Sequence, residues 1–289
     1  NLYHSLVFFL LVNLFSAIIN QNQNLNISPF ICLILILTIG VSHGSLDHVK
    51  GKKLFNILKI DNIYIFYIFY IFIGSLIIMI WIMIPAVTLF FFLLVASYHF
   101  GKEDTDFLID DNFKLNKLFY FLKGLLIIIA PLNFHFEETI NIFKVLFVES
   151  EKFYIFLGLL EDSKIIPMTF ILSTFSSIYL FAKNFKIINF SIFLDFFSIL
   201  ILNYYLSPLL AFTFYFCFLH SIRHCFSLAI DLDKFSFKKG LLIFLKKAWP
   251  LTIITIIFSL ITLFYLNNSY GFNDSILKVH KHGASLGFF

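Results

Sequence analysis

Charge is what this sequence has least of. Only 13% of its 289 residues are Asp, Glu, Lys or Arg and 60% are hydrophobic, against about 25% charged and 45 to 50% apolar in soluble domains. A soluble globule is excluded. Cysteine is also scarce: Cys32, Cys217 and Cys225 each lie in an apolar stretch with no CxxC or paired spacing. This excludes a disulfide frame and a cysteine metal site, and the three read as small hydrophobes. The net charge of +4 comes from loop lysines rather than a basic face, which argues against a nucleic-acid partner. No fixed-period repeat and no Gly/Ser linker divides the chain, so residues 1–289 read as one domain.

What is abundant is apolar sequence, in stretches of about 17 to 24 residues, the length of helix that crosses a bilayer core. Nine spans are predicted: 2–19, 28–48, 63–84, 85–101, 117–134, 165–182, 187–206, 207–230 and 249–266. The fold class is therefore all-α, a polytopic integral membrane bundle. The first span lacks a basic n-region and a small-residue cleavage site, and is kept as a helix rather than a signal peptide. Phe, at 43 residues, has two readings: an aromatic-lined pocket, or drift toward Phe, Ile, Lys and Asn in an AT-rich genome, with drift taken to account for most of it.

Alternate loops differ in Lys and Arg. One side holds 14 of the 21, in the segments 50–59, 102–117, 183–186 and 234–247, and the other holds five: Lys144, Lys152, Lys164, Lys278 and Lys281. Lys123 and Arg223 lie within spans. The positive-inside rule then puts the N-terminus in the cytoplasm; the expected location is the cytoplasmic membrane. The loop 135–164 carries six carboxylates around an apolar stretch 140–148, and is expected to lie amphipathically on the outer surface.

Ionisable residues inside spans are candidate functional groups. The second span ends GVSHGSLDH (40–48), the fourth ends SYHFGKED (97–104), and the eighth contains FCFLHSIRHCFS (216–227). These spans run in the same direction and carry their histidines in the same half, so His43, His99, His220 and His224 fall at one depth. His220 and His224 are four apart and share a helical face. Four imidazoles from three helices form a candidate metal site. Asp47, four residues after His43, and Asp104, five after His99, are candidates to hold a ligand imidazole by its other N–H. Arg223 is expected to pair with one of them or to snorkel. His48 turns away from the His43 face, and Asp195 has no evident partner. His4, His135, His280 and His282 have weaker claims. Tyr98, Phe100, Tyr215 and Phe218 are candidates to line a substrate tunnel, or simply to pack.

Imidazole suits Zn, Cu, Fe and Ni alike, so ligand type does not choose the metal. A site in lipid implies a lipid-soluble substrate; on four imidazoles an octahedral Fe(II) would keep two positions open for dioxygen, whereas a tetrahedral Zn would be filled. Two other readings compete: a desaturase- or hydroxylase-like di-iron protein, which needs about eight histidines in several clusters where this chain has one HxxxH, and a metal or proton transporter, whose polar residues would be spread through the whole depth.

The motifs GVSHGSLD, SYHFGKED and FCFLHSIRHCFS resemble those of the Brp/Blh family of membrane β-carotene 15,15'-dioxygenases, in order and interval, from the second span to the eighth. The resemblance implies Fe(2+) on His43, His99, His220 and His224. It also implies cleavage of β-carotene by dioxygen into two molecules of all-trans-retinal, with a microbial rhodopsin as product acceptor. Two departures stand out. Ser42 replaces the usual Pro before the first His, and the end of the chain, Lys278-Val279-His280-Lys281-His282-Gly283, replaces the family's last apolar helix with its Pro-His pair. A tenth helix is expected to be lost or truncated, and the chain, without a starting Met, to be edited or incomplete.

Overall fold

Lipid cannot satisfy a bare N–H or C=O, so an apolar chain in a bilayer must close its backbone hydrogen bonds within each segment. The computed structural model describes residues 1–22, 27–60, 62–105, 116–145, 150–183 and 185–270, and among them every regular element is helical. Nine helical stretches among the described residues are long and apolar enough to cross a membrane, making this a multi-pass helical bundle.

The order is α1 (Leu2–Gln21), α2 (Pro29–Leu35), a π-helical turn (Ile36–Gly40), a 3₁₀ stretch (Val41–Leu46), α3 (Asp47–Ile57), α4 (Ile63–Met83) and α5 (Pro85–Thr105). There follow α6 (Asn116–Phe134), α7 (Phe136–Val145), α8 (Glu151–Asp162), α9 (Ile165–Ala182) and α10 (Phe190–Tyr205). The last elements are α11 (Pro208–Phe214), a second π-helical segment (Tyr215–Ser221), α12 (Ile222–Leu232) and α13 (Phe237–Tyr270). The helix starts are set locally. Ser28 caps α2 by accepting from the Phe30 N–H at 3.3 Å, and Asn62 caps α4 through the Tyr64 N–H at 2.9 Å. Pro29, Pro85 and Pro208 each open a helix, where the missing N–H has no intrahelical partner. In the turn before α13, the backbone N–H groups of Ser236 and Phe235 donate to the Asp233 carboxylate and hold its pKa below the usual value.

Three sequence expectations need correction. The last span, 249–266, lies within a longer helix: α13 begins at Phe237 and runs to Tyr270. Lys238, Lys239, Lys246 and Lys247 suggested a loop, but Lys is a good helix former. The acidic loop forms two helices, α7 and α8, in place of one surface segment; α7 buries Thr139, Ile140 and Phe143. The second and eighth spans are not continuous α-helix, since each changes pitch next to its histidines. Residues 271–289, with His280, His282 and the expected loss of a tenth helix, lie outside the described residues.

The tightest pairing is α5 against α6. A Cβ on Gly101 would collide with the Tyr120 carbonyl, and one on Gly124 with the Ser97 carbonyl. Small residues at this crossing let the backbones touch, which is how helices associate where burial in lipid gives no hydrophobic gain. The crossing fixes the end of α5 that carries His99, Glu103 and Asp104. The other main pairs are α1 with α10, α6 with α9, and α12 with α13. By contrast, α4 is almost wholly lipid-facing, with no buried residue in its span.

Candidate metal centre

The second and eighth spans meet where both leave α-helical geometry. The π segment 215–221 packs on the π turn 36–40 and the 3₁₀ stretch 41–46, and the Ser221 hydroxyl donates to the Gly40 carbonyl at 3.3 Å. Such π segments cluster at functional sites because the extra residue re-aims neighbouring side chains. Here the re-aimed residue is His220, 1% exposed.

The end of α5 meets α12 and the π segment with two consecutive carboxylates. His220 donates from Nδ1 to Asp104 at 3.0 Å, and His224 from Nδ1 to Glu103 at 2.9 Å. A carboxylate only accepts, so each Nδ1 carries a hydrogen, and Nε2 is the nitrogen of each ring left to bind a metal. A carboxylate behind an imidazole is the usual arrangement around ligating histidines, fixing the tautomer and raising ligand basicity. The His99 ring lies edge-on to His220, with centroids 5.2 Å apart.

The second oxygen of Asp104 accepts from the Tyr215 hydroxyl at 2.6 Å, and Arg223 donates to the Asp104 carbonyl at 3.3 Å. Arg223 also forks onto both oxygens of Asp195, at 2.8 and 3.1 Å, and reaches Ser5 of α1 at 2.9 Å. Lys123 of α6, 4% exposed, is close enough to interact electrostatically with Asp104 and Asp195. Two cations and two carboxylates thus balance in the interior, and the network ties α1, α5, α6, α10 and α12 together.

The sequence-derived candidates divide accordingly. His99, His220, His224, Asp104 and Arg223 come together, with Asp104 on His220 rather than on His99. Arg223 does not snorkel: it is 4% exposed and answers the question of the Asp195 partner. Asp47 accepts from the Tyr70 hydroxyl of α4 at 3.2 Å. The backbone of His43 lies in the 3₁₀ stretch beside the π segment, but its side chain, like that of His48, lies outside the described residues. Among the described residues no group of three or more His, Cys, Asp or Glu side chains is placed to hold a metal ion. The donor chemistry nevertheless fits a divalent metal: imidazoles from two spans, two of them backed by carboxylates, with His43 on the third adjoining span.

Of the tunnel candidates, Phe100 sets its ring across His220 at 4.8 Å and 80°. Tyr215, 2% exposed, is engaged by Asp104. Tyr98 packs edge-on to Tyr120, and Phe218 lies with Phe8, Phe15 and Phe214 along a shallow apolar groove beside α1. Glu103, Lys123 and Ser5 were missed. Glu103 had a signal, since it is four residues after His99, and Lys123 had one as a cation within an apolar run.

This architecture defines a polytopic helical membrane protein with a buried histidine–carboxylate cluster at one end of its bundle. A family model described as beta-carotene 15,15'-dioxygenase matches residues 34–284, and the chain belongs to that family. Comparison with curated proteins and with solved structures gives no match.

Proposed function

We propose that this chain cleaves β-carotene with dioxygen at the central 15,15' double bond, giving two molecules of all-trans-retinal. The observation that carries the reading is the pairing of His220 with Asp104 and of His224 with Glu103, within a chain of the β-carotene dioxygenase family. The reaction balances without an external reductant: one C=C and one O=O bond break, and each of the two carbons gains one oxygen atom.

The group this site would hold is Fe(2+), and the residues that would ligate it are His43, His99, His220 and His224. When bound, iron supplies the reactivity toward dioxygen that the side chains lack. The protein's part is positioning. Asp104 and Glu103 hold a hydrogen of His220 and of His224 on Nδ1, leaving Nε2 as the atom that would bind the metal. Phe100 fixes the plane of His220, and the apolar walls keep water from the reacting double bond. Arg223 and Lys123 offset the charges of Asp195 and Asp104, so that Asp104 remains an acceptor in a low-dielectric interior. No side chain is required as an acid or base.

The loop charges support a cytoplasmic N-terminus in the cytoplasmic membrane. Retinal leaves into the bilayer, where a rhodopsin is a suitable acceptor. The test is expression in a bacterium that accumulates β-carotene, followed by chromatography of the extracted pigments. Loss of β-carotene with gain of retinal is expected. Intact β-carotene and no retinal, from a chain shown to be membrane-inserted, would overturn the proposal.

A further inference from the structure

Three rings line up along the eighth span. Phe212 and Phe216 are parallel within 10° at 5.3 Å, and Phe216 and His220 within 15° at 5.9 Å. The row runs from the middle of the span to a histidine of the cluster. Phe100 crosses it from α5, with centroids 6.4, 6.1 and 4.8 Å from Phe212, Phe216 and His220. From the other side Gly40 abuts Phe216: a Cβ there would lie 2.5 Å from the ring edge, so only glycine leaves the ring where it is.

The helices on either side of this row do not close over it. The second span packs on the eighth, and so does α5, while among the described residues the second span and α5 share no substantial packing with each other. Two helices that rest on a third without meeting leave a cleft between them. Its floor is the ring row, and Phe212 and Phe216 are only half-buried although they sit at the centre of a three-helix junction. The polar cluster closes one end, at His220.

We propose that this cleft seats the conjugated polyene of the carotenoid, with Phe216, held in place by Gly40, setting which double bond reaches the histidines. The inference rests on the carotenoid-cleaving reading above. The occupant follows from the lining. An apolar track that ends on the metal-side histidines suits a long, flat conjugated hydrocarbon arriving from the bilayer, and aromatic rings pack well on a conjugated chain. Phe216 is a positioning residue, for it does not touch the metal ligands except by packing against His220.

The test uses the full chain in membranes supplied with β-carotene, with aldehyde products separated by chromatography and iron per chain measured in parallel. Phe216→Ala is expected to yield unequal, off-centre apocarotenals alongside retinal and to raise KM about three- to tenfold, the loss of one aromatic contact, with iron content unchanged. Phe216→Leu should do the same more weakly. Gly40→Ala keeps the phenyl ring but displaces it, and should shift the product ratio in the same sense. Phe91→Ala, on the lipid-facing side of α5, should change neither quantity. Retinal as sole product at unchanged KM from both Phe216 variants and from Gly40→Ala would overturn the proposal. Absence of retinal from the unaltered chain would instead overturn the reading on which it rests.

Discussion

Histidines sit at both ends of this bundle, and the two ends use them differently. At one end, His135 joins α6 to α7 and its Nε2 bonds the Asn203 carbonyl at 2.8 Å. At the other, His220 and His224 are each backed by a carboxylate. A carbonyl partner satisfies an imidazole and stitches two helices. A carboxylate partner does more, because it polarises the ring and fixes which nitrogen faces a metal. On the proposed reading the carboxylate partners mark His220 and His224 as the candidate ligands, whereas His4, bonded to the Phe218 carbonyl at 2.9 Å, ties α1 to the eighth span.

Substitutions at the two ends should separate these roles. The largest effect is expected from His220→Ala or His224→Ala, either of which should reduce retinal formation in β-carotene-supplied membranes to background. Activity near the native level in both would remove the distinction. Next is Arg223→Met, which leaves Asp195 buried and unpaired. Breaking such a pair costs about 3–5 kcal/mol, so the folded fraction in a thermal size-exclusion assay should fall sharply and recover in part when Asp195→Leu is added. A smaller loss is expected from Glu103→Gln and Asp104→Asn, about 10- to 100-fold in iron affinity, measured by chelator competition. Native affinity in these variants would show that the carboxylates do not aim the histidines. The smallest effect belongs to the other end. His135→Ala should cost about 1 kcal/mol of stability, one hydrogen bond, and leave retinal yield unchanged.

The difference between the ends was only partly legible in sequence. The spans were readable because lipid forces helix on every apolar stretch, and the matched depth of His99, His220 and His224 followed from span direction. Partner choice was not readable. Glu103 and Asp104 are adjacent, so they point about 100° apart on an α-helix, and which histidine each meets depends on a helix rotation set by Gly101 and Gly124. The π segment at 215–221 carries no Gly or Pro to announce it, and it decides where His220 points. Lys123 was counted as a charge within a span, but its role required knowing that α6 turns it toward Asp104. Phe212 and Phe216 were hidden among 43 phenylalanines, where only their spacing along the eighth span, ending on His220, marks them out.

The central claim is that the carboxylate-backed histidines hold iron. Its most direct test is elemental analysis of iron per chain in the full-length protein purified from iron-supplied cells, beside the His220→Ala/His224→Ala double variant and His135→Ala. Iron in the native chain and in His135→Ala, with none in the double variant, is the predicted result. A native chain without iron, or a double variant loaded to the native level, would contradict it.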